Sequence, residues 1–234
     1  MGQPTAAQTA PAGRVAVDFS HVAISVDSAT FQAMASSSFL RGEFGGFEDR
    51  PSLPGSTDAT VLYYGRDTYL EFLNPRPSFP LGSQQLAFVV RHPGDLHLAV
   101  DALLTQRPRG IGYGLNFRRV RGDSVPLFWR ARLRPAFPPS QQPATLYFDI
   151  LERHREYLRR SEPTMPQDST GVTNVEYLSR RWKPDGYLRS VIGVTLAADS
   201  TEVFAVAGDL SALGYDVRQV ADTIIAARPG FTLS

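Results

Sequence analysis

The sequence predicts an α+β protein made of repeated β-α-β-β-β modules, forming a cupped mixed sheet with helices outside. Three observations carry that expectation. Apolar, strand-like runs at Val15–Val26, Gln85–Arg91 and Val191–Ala197 are each followed at once by a helix-like stretch. Short β-branched or aromatic runs then follow each helix. The grammar recurs at intervals of roughly sixty to one hundred residues, and internal repetition constrains a fold more than any single propensity.

The elements follow in order. Residues 1–14 are rich in Ala, Thr, Gln and Pro with no apolar core, which reads as a disordered leader rather than a secretory signal. The first module spans residues 15–75. Asp27-Ser28 offers an N-cap to a helix over Ser28–Leu40, with Phe31, Met34 and Ala35 on one face. Gly45-Gly46 breaks the pattern, Phe47–Asp49 begins a short strand, and residues 51–56 form a turn-rich loop. Ala59–Tyr64 and Tyr69–Leu73 form a hairpin around Gly65-Arg66-Asp67.

The second module spans residues 84–152. Its helix covers Leu96–Leu104 behind Asp95, and strands are expected at Val125–Leu133 and Ala144–Leu151, separated by the proline-rich 135–143. Residues 153–190 form a charged, then polar excursion expected to cover a face. The third module, 191–234, has a helix over Ser200–Leu213 stopped by Gly214, then a hairpin of Asp216–Val220 with Thr223–Ala227. Phe231–Leu233 reads as a last short strand.

Composition excludes several function classes. The 234 residues carry 24 basic and 23 acidic side chains, so a net charge of +1 creates no global field for nucleic acid or anionic lipid. There is no cysteine, which removes disulfides, thiolate metal sites and cysteine nucleophiles. No apolar run is long enough for a membrane helix, and a cytoplasmic protein is expected. An odd number of modules leaves room for a homodimer.

His21 and Glu71 are the candidate functional pair. His21 opens an alternating apolar run, and Glu71 interrupts another, Thr68–Leu73. Tyr69, Glu71 and Leu73 share one strand face, so Glu71 can point inward, where an unpartnered carboxylate is costly. Without cysteine, any metal must be held by nitrogen and oxygen. Glu152 and His154 offer a competing pair, set among Arg153, Arg155 and Glu156 as in a solvated helix start.

The run Asp18–Val26, its helix and Thr68–Pro75 resemble one module of the vicinal oxygen chelate superfamily, which includes glyoxalase I, bleomycin-resistance proteins and extradiol dioxygenases. Ile192–Ala197 with Leu213-Gly214-Tyr215 looks like another module. Phe39–Glu48 and Leu151–His154 are similar to an uncharacterised glyoxalase-like subfamily. The resemblance implies metal ligands on the first and last strands of each module. Position by position it places His21, Glu71, Gln85 and Asp149 as ligands of a divalent ion, Fe, Mn, Zn or Ni, and Gly193 in the third module's histidine register.

It further implies a bacterial enzyme of small-molecule, possibly secondary, metabolism: an isomerase, lyase or dioxygenase whose metal stabilises an enolate or oxyanion. Glu71 or Glu152 would move the proton. Two alternatives stay open on the same cleft: a metal-free binding or resistance protein, and a metal-free cyclase or isomerase using Glu71 and His21 as acid and base.

Overall fold

The computed structural model describes residue 15 and residues 17–50, 59–106, 110–120, 122–133, 146–161, 171–195, 200–220, 223–228 and 231–233. The expected leader, the 51–56 loop and the proline-rich 135–143 lie outside the described residues. The first unit comprises β1 (Val17–Ser25), α1 (Ser28–Ser36), β2 (Gly46–Arg50), β3 (Thr60–Tyr64) and β4 (Tyr69–Leu73). The second comprises β5 (Gln84–Val90), α2 (Asp95–Gln106), β6 (Ile111–Val120), β7 (Asp123–Leu133) and β8 (Leu146–Arg153). Two short helices follow, α3 (Arg155–Ser161) and α4 (Asn174–Leu178). The chain then runs through β9 (Gly193–Val194), α5 (Ser200–Ala212), β10 (Asp216–Val220), β11 (Thr223–Arg228) and β12 (Phe231–Leu233).

Eight strands form one sheet in the order β2-β3-β4-β1-β5-β8-β7-β6, and four form another in the order β10-β11-β12-β9. In each unit the first strand lies parallel to the last: β1 with β4, β5 with β8, β9 with β12. The halves of the large sheet join where β1 runs antiparallel to β5. The sheet curls until Arg118 on β6 donates to Glu48 Oε1 on β2, linking opposite edges. The expected α+β architecture with a cupped sheet is the one observed.

Local chemistry explains the boundaries. Asp27 Oδ1 accepts from the backbone N–H groups of Ala29 and Thr30, capping α1. The helix ends at Ser36 and a wide helical turn at Leu40–Phe44 carries the chain on. Gly214, at φ +86, ends α5 with a left-handed residue, and Tyr215 N donates back to Leu210 O. β6 is a strand that the sequence reading leaves unassigned, because Gly112, Gly114 and the Arg118-Arg119 pair obscure its alternation. The first strand of the third unit is shorter than expected, and residues 196–199 lie outside the described residues.

The main core lies on the convex side. Val22, Leu86, Phe88, Phe148 and Ile150 pack there with Leu103 of α2 and Leu210 of α5. The excursion instead enters the concave side, where Leu178 of α4 packs on Leu62 and Tyr64. A capping box at Thr173 and Glu176 fixes the start of α4, and Asn174 Nδ2 donates to Phe19 O at 2.7 Å. No helix among the described residues is long and apolar enough to cross a membrane.

The plug docks on a seam of glycines. A Cβ at Gly46 would stand 1.7 Å from the Arg181 carbonyl oxygen, and one at Gly65 would stand 2.7 Å from that of Arg189. Gly46→Ala is therefore expected to destabilise the fold by about 1–3 kcal/mol, as overpacking does. Urea unfolding with tryptophan emission, which Trp182 in the plug reports, measures it. An unchanged midpoint would refute the close approach.

Candidate active site

Strand register assembles the site. Glu71, Ala23, Gln85 and Tyr147 align in one row across β4, β1, β5 and β8. Tyr69, His21, Ala87 and Asp149 form the adjacent row. Cross-strand partners share a face, so all eight project from the concave surface. β7 sets Arg132 beside Asp149 and Arg130 beside Leu151. β3 and β2 continue the first row with Leu62 and Glu48.

His21 and Glu71 meet as the sequence suggests. His21 Nε2 lies 3.4 Å from Glu71 Oε2, and its Nδ1 lies 3.1 Å from Ser20 Oγ. The His21 ring stacks on Tyr69, with centroids 4.2 Å apart. Burial, with the nearby Arg50 charge, lowers His21 to about 3, so the imidazole is neutral near pH 7. Burial raises the Glu71 carboxyl against the opposing charges of Arg50 and Arg76, and Glu48 and Asp149 add to the rise. The contact is therefore not an ion pair: each group is held toward its uncharged form.

Glu48 behaves oppositely. Burial pushes it up, but the hydrogen bonds and charge of Arg50, Tyr64 and Arg118 outweigh that and hold it at about 2. Arg50 Nε donates to Glu48 Oε1 at 2.7 Å, and the Tyr64 hydroxyl donates to Oε2 at 2.6 Å. Two carboxylates on one concave face are thus pushed apart, Glu48 toward its ionised form and Glu71 toward a more basic one.

Gln85 and Asp149 are placed differently. Asp149 is fully buried, and both its oxygens accept from Arg132, each at 2.8 Å. Gln85 Oε1 accepts from Arg132 Nη2, also at 2.8 Å. A guanidinium thus takes up the oxygens of Gln85 and Asp149, two of the four expected ligands. Among the described residues no group of three or more His, Asp or Glu side chains could hold a metal. His21 and Glu71 alone make two donors, with Arg50 and Arg76 adding positive charge beside them. The set His21, Glu71, Gln85 and Asp149 does not fit Fe, Mn, Zn or Ni as arranged here.

Glu152 also departs from expectation. Continuous alternation along β8 turns it to the convex face, opposite Asp149, and its Oε2 accepts from Leu96 N at the start of α2. It caps a helix and lies away from Glu71. His154 accepts from Glu156 N and begins the turn into α3. The groove that Glu152 lines with Arg91, His92 and Arg155 includes neither His21 nor Glu71. The residues that the sequence reading passed over are Arg50, Arg76, Arg130 and Arg132. Alternation of Phe128, Arg130 and Arg132 on one face of an apolar strand was the available signal.

Paired β-α-β-β-β units around a curled sheet, with polar side chains at the centre of the concave face, define a protein with the fold of the vicinal oxygen chelate proteins. A family model described as "Family of unknown function (DUF5829)" matches residues 19–234, and the chain belongs to that family. A search of curated protein sequences finds no match. A hypothetical protein from Staphylococcus aureus is similar at 12% identity and a TM-score of 0.53, over 93% of this chain and 84% of that one.

A xylose isomerase-like TIM barrel/4-hydroxyphenylpyruvate dioxygenase fusion protein is similar at 14% identity and a TM-score of 0.50, over 96% of this chain and 32% of the longer one. Catechol 2,3-dioxygenase is matched at 9% identity and a TM-score of 0.46, over 92% of this chain and 65% of that one. At their identities the first two matches show a likeness of fold.

Proposed function

We propose that this protein is a small-molecule enzyme of the isomerase or lyase type, in which Glu71 moves a proton and His21 positions it. The observation that carries this reading is the engagement of Asp149 and Gln85 by Arg132, beside a buried contact between a neutral His21 and a Glu71 carboxyl that burial makes more basic. A carboxylate made more basic by burial takes a proton from carbon next to a carbonyl more readily than an exposed one. The C–H electron pair moves into the carbonyl as an enolate. Returning the proton to the neighbouring atom isomerises the substrate, and expelling a leaving group makes the reaction a lyase step. The arginine-rich surround supplies fixed positive charge for the developing oxyanion. Glu71 keeps 18% of its side chain exposed, so a ligand can reach it, whereas His21 keeps 4% and acts through Glu71.

The test is hydrogen exchange in D2O, followed by proton NMR on a panel of 2-oxo and 3-oxo carboxylic acids. Wild-type protein dialysed against EDTA is expected to deuterate the carbon beside a carbonyl. Glu71→Gln is expected to slow this about a hundredfold or more. Exchange that vanishes with EDTA and returns with added Fe, Mn, Zn or Ni would overturn the metal-free reading. Absence of exchange with a bound panel member would favour a binding protein instead.

A further inference from the structure

The concave face carries more guanidinium than carboxylate. Arg132 directs its fork to Asp149 and Gln85, placing one hydrogen bond on each Asp149 oxygen. The Arg130 Nε stands 4.0 Å from Asp149 Oδ2, outside hydrogen-bond reach, and among the described residues Arg130 makes no hydrogen bond. Its side chain is one-third exposed. A guanidinium offers five donors, and the exposed part of this one leaves donors open to a ligand. Burial, together with the charges of Arg132 and Arg76, opposes its ionisation, with Asp149 favouring it. The Arg76 charge acts on Glu71 as well as on Arg130.

We propose that Arg130, beside Arg132 on the concave face, is a binding subsite for the carboxylate of a small organic anion. This rests on the reading of the cleft as a small-molecule site. The ligand chemistry follows from the geometry. A planar fork pairs best with a planar carboxylate, the geometry that Arg132 and Asp149 already display next door. A carboxylate bound there neutralises a local excess of positive charge that a net charge of only +1 does not foreshadow. The Tyr147 ring, 4.8 Å below the Arg132 guanidinium and 5.1 Å from the Phe79 ring, adds an apolar wall for the organic part.

Isothermal titration at fixed ionic strength tests this with pyruvate, 2-oxoglutarate, benzoate and inorganic phosphate as probes. At least one carboxylate is expected to bind, and Arg130→Gln to weaken it tenfold or more without lowering the thermal midpoint. Arg130→Lys, which keeps the charge but not the fork, should fall between. No carboxylate binding, or binding indifferent to Arg130→Gln, overturns the subsite. Phosphate binding without carboxylate binding overturns the carboxylate assignment. Titration needs no turnover, so a protein that binds through Arg130 yet exchanges no proton would refute the acid–base role and leave the subsite standing.

Discussion

Arg132→Met is expected to destabilise the protein by about 3–5 kcal/mol, the usual cost of stranding one partner of a buried ion pair. Asp149 has no exposed surface, and Arg132 supplies hydrogen bonds to both its oxygens. Arg130, at 4.0 Å, gives charge but no hydrogen bond in compensation. Gln85 would lose its Oε1 donor at the same time. A double variant, Arg132→Met with Asp149→Leu, is expected to recover most of the loss, since a packed apolar pair often matches a buried ionic one. Urea unfolding of the wild type, both single variants and the double variant gives the coupling directly. Additive losses would mean that the two side chains do not depend on each other.

Acid is expected to destabilise the fold through His21. Its folded value of about 3 lies below the ordinary 6.5, so between these values the unfolded chain binds a proton that the folded chain does not. Stability from this group is complete above pH 6.5 and is lost as pH falls toward 3. From pH 6.5 to 4.5 the loss is about 2 kcal/mol. Glu71 works the other way: its raised carboxyl binds a proton in the folded state above pH 4.5, so its contribution falls as pH rises through that window. His21→Gln removes only the first effect. Unfolding of both proteins at pH 7 and pH 4.5 should therefore show a smaller acid loss in the variant by that amount. Parallel losses would place His21 in contact with water.

How much of this was legible in the sequence differs by element. β4 was readable residue for residue, because Tyr69–Leu73 alternates between tight turn chemistry and a polar linker. The register that brings His21 near Glu71 was also readable, since both lie on first and last strands of one unit. The likeness of Gln85 and Asp149 to that pair puts them in the matching register, and all four lie on the concave face. It could not show what faces them, because Arg132 comes from β7, a strand with no counterpart in the two-strand comparison. Glu152 was separable from Asp149 by parity alone: three residues along a strand reverse the face. β6 was hidden by its glycines and arginines, whose interactions depend on neighbours distant in sequence.

The plug that enters the cup also sets a timetable. Asn174 bonds to Phe19, Lys183 to the Gly42 carbonyl, and Val191 to Thr68, so strands made early are sealed by residues made late. On a ribosome adding about 5–20 residues per second, the sealing segment follows β4 by roughly six seconds or more. For that interval Leu62, Tyr64 and His21 belong to a nascent cup without its lining. A chain interrupted between β8 and α4 would stay in that state, presenting its aromatic interior to chaperones and to other unfinished copies.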